Sequence, residues 1–122
     1  MSRDLIDNDA INQLLEMDEG DDHEFSSEIL QEFFGQLDVK VPEFDVLIEK
    51  KDYDAVGKLG HFLKGSSAGV GAAKIREICD DIQHWQMKTS DPHTFFTEKV
   101  GQLKEVIPET KRILYSMVGL EA

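Results

Sequence analysis

A small set of polar residues in the middle of the chain has the types and spacing for nucleophilic chemistry. His61 stands between Lys58 and Lys64, three residues to either side, and opens the stretch HFLKGSSAGVG that runs to Gly71. Neutral imidazole is a competent nucleophile near pH 7 because its ordinary pKa lies close by. Attack on a phosphoryl group needs positive charge to stabilise the equatorial oxygens, and Lys64 or Lys58 supplies it. Which ring nitrogen reacts depends on what holds the other, and Gln83 is the candidate partner for it.

The geometry that brings these residues together is helical. In a helix entered near Asp54 each residue turns about 100° from the last. Val56, Leu59, Leu63 and Val70 then form the buried stripe, and His61 points away from it. Gly57 and Gly65 lie four residues to either side of His61, with Ala68 two turns on. Glycine inside a helix costs about 1 kcal/mol relative to alanine. One reason to tolerate that cost is that small residues let another macromolecule approach the imidazole. The plainer alternative makes Gly65 the residue that terminates a helix from Asp54 to Lys64, with SSAGVG as a loop. Gly57 favours the first reading, because a helix end does not explain it.

Other chemistries lack their parts. A nucleophilic triad needs a serine or cysteine beside a histidine oriented by a carboxylate, whereas Ser66 and Ser67 fall off the His61 face and Cys79 sits in an apolar stripe. No phosphate-binding GxxxxGK[ST] loop and no GxGxxG after a strand is present. None of His23, His61, His84 or His93 has a glutamate three residues before it, so the Glu-x-x-His pattern of bundle metal sites is missing and no metal is expected. The acidic stretch DEGDDHE, Asp18 to Glu24, does not fit a calcium loop.

Composition narrows the partners. Thirteen Lys and Arg against 25 Asp and Glu give a net charge of -12, which argues against nucleic-acid backbones and anionic membranes and toward a partner with a basic patch. A single cysteine cannot form an internal disulfide, which fits a reducing compartment. No apolar run approaches the roughly 18 residues of a membrane span, and MSRDLIDND lacks a signal-peptide core. The expectation is one soluble intracellular domain over residues 1–122, with no nucleic-acid or membrane partner.

Helical spacing recurs in every segment. A short first helix spans Asp7 to Met17, with Ala10, Leu14 and Met17 in one row and Ile11 and Leu15 in another. Either both rows are buried, or one remains exposed as a docking surface. A second helix from Glu24 to about Lys50 carries Phe25, Ile29, Phe33, Leu37, Val41, Phe44 and Ile48 on its buried stripe, with a kink or break expected at Pro42. The histidine helix follows, entered through Asp52 or Asp54. Ala72 to about Lys88 forms a fourth helix with Ile75, Ile78, Cys79, Ile82 and Trp85 facing the core. There Gln83 either reaches toward the third helix or is a solvated amide. Ser90, Asp91 and Pro92 start a last helix bearing Phe96, Val100, Leu103, Ile107, Leu114 and Val118, with a bend expected at Pro108. The predicted architecture is all-α, an antiparallel up-down-up-down four-helix bundle with a short extra N-terminal helix.

His61, Lys64, Gly65, Ser66 and Ser67 reproduce the HxxKGSS signature, and with Ala68 and Gly71 the chain resembles histidine-containing phosphotransfer (HPt) domains. The continuation through Cys79, Ile82 and Gln83, and the MDEGDD stretch, resemble the fungal phosphorelay intermediates of osmosensing pathways. The resemblance covers the chain from about Ala10 to the end. It implies phosphorylation of His61 at Nε2, Lys64 stabilising the phosphoryl oxygens, Gly65 leaving room for the partner, and Gln83 hydrogen-bonding near the imidazole. Lys58, Ser66, Gly57 and Ala68 would support the site. It further implies a carrier without autokinase activity that takes its phosphoryl group from the aspartate of one response-regulator receiver domain, including that of a hybrid sensor histidine kinase, and passes it to another. Mg²⁺ would belong to the receiver, with no cofactor on this chain. Docking would use the outer face of the histidine helix and part of the Ala10, Ile11, Leu14, Leu15, Met17 sector. A monomer in the cytoplasm and also the nucleus is expected. A helical adaptor that binds receivers without carrying phosphate is the alternative. Under the resemblance Gly57 and Gly65 both become clearance around the nucleophile, Gly65 lies inside the helix, and the bend falls at about Gly69 to Gly71.

Overall fold

Polar side chains at the element boundaries set where each helix begins. The computed structural model describes residues 5–122. Asp7 accepts a hydrogen bond from the Ala10 N–H at 3.2 Å and caps α1, Asn8–Leu15. Asp52 accepts from the Ala55 N–H at 3.3 Å and caps α3, Tyr53–Val70. Asp91 caps α5, Pro92–Met117, with Pro92 in the first turn. Between them lie α2, Glu24–Glu49, and α4, Ala73–Gln83, which is followed by a 3-10 turn, Trp85–Met87. Such caps satisfy N–H groups that the helix itself leaves unpaired.

The arrangement is an antiparallel four-helix bundle with α1 as an extra helix. Packing runs in a ring, with α3 against α4, α4 against α5, α5 against α2 and α2 against α3, while α1 rests on α3. Phe34, Phe44, Phe96, Leu37, Leu63 and Ile82 are among the fully enclosed side chains of the common core. Each such side chain contributes roughly 1.5–3 kcal/mol over leaving it in water.

Packing corrects several expectations, and of the kink or break expected at Pro42 the break does not occur: α2 runs on through Pro42, and α5 runs on through Pro108. Both prolines are exposed, and so are Asp38 and Lys104 four residues earlier, so the carbonyls deprived of a partner face solvent that can serve them. The buried stripe of α2 does not begin at Phe25, which is 40% exposed, but at Ser26, which is fully buried. The cause lies in the preceding loop. Asp18 accepts from the Ser26 N–H at 2.9 Å and from its hydroxyl at 2.7 Å, which turns Ser26 inward and Phe25, about 100° round the helix, outward. Helix α4 ends at Gln83 rather than near Lys88. Trp85 therefore meets the core from the 3-10 turn, with its ring against those of Tyr53 and Phe96. Ile107 is half-buried, and Thr110 takes the enclosed position of that stretch.

The end of α3 matters most for the site. Gly71 has φ 76°, the left-handed conformation that favours glycine, and it terminates the helix. Gly65 is thus interior, as the phosphotransfer resemblance implies. A β-carbon on Gly71 would also stand 2.8 Å from the Asp7 carbonyl oxygen, so the same residue lets α1 dock.

Candidate functional site

His61 lies on the face of α3 opposite Val56, Leu63 and Val70, which are buried, while Leu59 is half-buried. Its ring is exposed. Histidine ring hydrogen bonds among the described residues belong to His23, His84 and His93, and the His61 imidazole makes none. In its neutral form such a ring keeps a nitrogen lone pair free for an incoming electrophile.

What sets the spacing of α3 against the next helix beside His61 is Gly60. A β-carbon there would lie 2.7 Å from Ile82 Cγ2 and 3.0 Å from the Cys79 carbonyl oxygen, so α3 and α4 meet closely at the residue before His61. This contact brings His61 beside Gln83. The two residues share a surface concavity of about 380 Å³ with Lys58, Gly57, Trp85 and Asp54. Gly60 was not among the residues singled out by sequence. Its signal was nonetheless present, because a glycine within a helical pattern that neither caps nor turns points to a close approach of backbones.

The two lysines are placed differently. Lys58 is exposed, lines the concavity with His61, and forms no ion pair among the described residues. Lys64 is engaged: its Nζ lies 2.9 Å from Asp80 Oδ1 and donates to Gln83 Oε1 at 3.2 Å. Gln83 therefore reaches α3, but through Lys64 and not through the imidazole. The Lys64 hydrogen bond, with its charge, holds the Asp80 carboxyl below the usual carboxylate range despite partial desolvation. Asp80 also lies 3.3 Å from His84 Nδ1. That ring nitrogen is 2.9 Å from the Asp80 carbonyl oxygen. Since a carbonyl only accepts, Nδ1 of His84 carries the proton.

The glycines divide. At Gly65 nothing lies within 4 Å of an added β-carbon, and Ala68 is exposed on the same face, so this side of His61 is open. Gly57 is buried, and a β-carbon on it would meet Trp85 Nε1 at 3.0 Å. Gly57 thus makes room for Trp85 within the chain rather than for a partner, a correction to its assignment as clearance. Ser66 is half-buried and donates to the Phe62 carbonyl at 3.4 Å. Ser67 is buried and donates to the Leu63 carbonyl at 2.6 Å. Neither touches His61.

The first-helix sector is also revised. Ile11 and Leu14 are buried, and Ala10 and Leu15 are half-buried, so neither row is left exposed as a unit. Only Met17, 63% exposed, is freely available. It lines a concavity with Phe25 and the acidic residues Glu19, Asp22, Glu24 and Glu28. Phe62, next to His61 in the chain, is 48% exposed. Phe25 and Phe62 are apolar surface that the sequence did not reveal, since the same spacing is compatible with burial.

Cys79 is buried, and burial pushes its thiol up to about 12, so it is not a competing nucleophile. No helix among the described residues is long and apolar enough to cross a membrane.

Fold and site together define a helical bundle that presents an exposed imidazole without a hydrogen-bond partner among the described residues, flanked by lysines, on a helix with an open glycine beside it. Residues 28–111, which include His61 and Gln83, match the Hpt domain, and the chain belongs to the Hpt-domain family. It is 44% identical over 81 residues to multistep phosphorelay regulator 1 of Schizosaccharomyces pombe, covering 66% of this chain and 28% of that protein. It is 33% identical over 84 residues to the phosphorelay intermediate protein YPD1 of Candida albicans, covering 69% and 45%. To the protein of that name in Saccharomyces cerevisiae it is 30% identical over 102 residues, covering 83% and 60%. The chain thus spans between 28% and 60% of the length of these relatives.

Proposed function

We propose that this chain is a histidine phosphotransfer protein of a multistep phosphorelay, with His61 as the phosphoacceptor. The observation that carries this is the exposed, unbonded His61 ring beside Gly65, where nothing stands in the way of a partner. The names of the relatives as phosphorelay proteins support it.

In the proposed reaction the Nε2 lone pair of neutral His61, with the ring proton on Nδ1, attacks the phosphorus of an aspartyl phosphate on a receiver domain. The P–O bond to the acyl oxygen breaks, and the aspartate leaves as a carboxylate. The phosphoryl group then rests on Nε2 until a second receiver's aspartate attacks it by the reverse route. Lys58 and Lys64 flank the ring, and their charge offsets that of the phosphoryl oxygens. Lys58 is free to do so directly, whereas Lys64 must share its ammonium with Asp80 and Gln83. Gln83, through Lys64, steadies that cation. In this reading the phosphoryl group comes from the partner receiver, and the chain acts as a carrier without autokinase activity of its own. Mg²⁺ is assigned to the receiver.

The partners are receiver domains, including that of a hybrid sensor histidine kinase, and the carrier acts as a monomer in the cytoplasm and nucleus. Met17, Phe25 and Phe62 form the apolar part of the docking surface, with the outer face of α3 around Gly65 and Ala68. The net charge of -12 steers partners that present a basic patch. Mixing the chain with an aspartyl-phosphorylated receiver tests the reading. An acid-labile, alkali-stable adduct should appear on the wild type and be absent from His61→Gln. Binding of the receiver without any adduct would instead mark a helical adaptor.

A further inference from the structure

We propose that Asp80 is a positioning residue that holds Lys64 in reserve and thereby sets how strongly His61 retains a phosphoryl group. The inference rests on the phosphocarrier reading above and concerns the electrostatic balance at its site.

Lys64 has three N–H donors and one charge. Two donors are directed at α4, to Asp80 Oδ1 at 2.9 Å and to Gln83 Oε1 at 3.2 Å. Asp80 and Gln83 are three residues apart on one face of α4, and Gly60 keeps that helix tightly against α3, so the pair is held by backbone placement as well as by its own attraction. The charge of Lys64 is therefore already balanced when His61 is unmodified. Lys58, on the other side of the ring, has no such anionic partner among the described residues.

A phosphoryl group on His61 brings a charge of roughly -1.5 to -2 near pH 7. It must compete with the Asp80 carboxylate for Lys64 and also feels that carboxylate's repulsion through the shared cation. Both effects weaken the phosphohistidine relative to a site with a free lysine. A carrier that must give its phosphoryl group away benefits from that weakening, since an overstabilised adduct would stall onward transfer. His84 Nδ1 also lies 3.3 Å from the same Oδ1, while its proton is directed at the Asp80 backbone carbonyl 2.9 Å away.

The test is a double-mutant cycle on the equilibrium between one phosphorylated receiver and this chain. Asp80→Asn keeps the shape and the acceptor but removes the charge. It should raise the fraction of phosphoryl group on His61, as a ratio, by about two- to fivefold, the size expected of a partly exposed ion pair. In a Lys64→Met background, which keeps the aliphatic stem, the same Asp80→Asn change should have a clearly smaller effect, because only the direct repulsion remains. Equal ratios for wild type and Asp80→Asn, a ratio lowered by Asp80→Asn, or the same shift in both backgrounds would each overturn the proposal. Asp80→Ser serves as a second neutral variant, and circular dichroism checks that each variant remains helical. If the wild type takes no label on His61, the phosphocarrier reading itself fails and this inference with it. If His61 is labelled but the cycle shows no coupling, only the role of Asp80 is lost.

Discussion

Gly60 and Ile82 meet so closely that a β-carbon on the glycine would stand 2.7 Å from Ile82 Cγ2, with the Cys79 carbonyl oxygen at 3.0 Å behind it. Ile82 is enclosed and the carbonyl is backbone, so neither neighbour can yield cheaply. Gly60→Ala gains about 1 kcal/mol of helix propensity but incurs an overpacking cost of roughly 1–3 kcal/mol. The cost wins because the obstacle is rigid. Urea denaturation should show a net destabilisation of up to about 2 kcal/mol.

Gly65 should behave in the opposite way. Nothing lies within 4 Å of a β-carbon there, so Gly65→Ala should stabilise the chain by about 1 kcal/mol. A larger side chain would occupy the space beside His61 over which the proposed receiver partner would approach. Gly65→Leu should therefore leave the melting temperature undiminished while slowing transfer from a phospho-receiver at least tenfold, corresponding to about 1.4 kcal/mol of barrier. Unimpaired transfer by Gly65→Leu would show that the partner does not approach over this residue.

Asp18 predicts an acid-dependent stability. Burial alone would raise its carboxyl, but the Ser26 N–H, the His23 ring and the Ser26 hydroxyl outweigh that and hold it below the ordinary aspartate range. A folded-state pKa below the unfolded one contributes stability that is fully present above the unfolded value. That stability is lost as pH falls through the folded value. The wild type should thus exceed Asp18→Asn in melting temperature at pH 7. The difference should shrink as pH is lowered below about 4. A gap that is constant from pH 7 to pH 2.5 would contradict the assignment.

Cys79 offers a probe of the core between α3 and α4. Its thiol, buried and pushed up to about 12, should resist thiol-specific reagents at pH 8 in the native chain and react fully in denaturant. Ready labelling under native conditions would show that α4 does not stay packed.

The parts legible in the sequence are those governed by local chemistry. Asp52, Asp91 and Pro92 mark helix starts because capping needs a short acceptor at a fixed offset. Gly71 marks an end because it must adopt a positive φ. His61 was legible too, since the apolar stripe of its own helix determines which way it points. What stayed hidden depends on residues distant in sequence. Phe25 is exposed because Asp18 claims Ser26, and Gly57 serves Trp85, which only the fold brings over it. The pairing of Lys64 with Asp80 likewise needs the α3–α4 register that Gly60 permits. The i, i+3 spacing of Asp80 and Gln83 was visible, but not the lysine they share.

The account stands on His61 as the phosphoacceptor. Wild type and His61→Gln should be mixed separately with a radiolabelled phospho-receiver, and the chain's label followed through acid and alkali. We expect label on the wild type that survives alkali and is lost in acid, and none on His61→Gln. Label on the variant, or a folded wild type that binds the receiver and acquires none, would contradict the account.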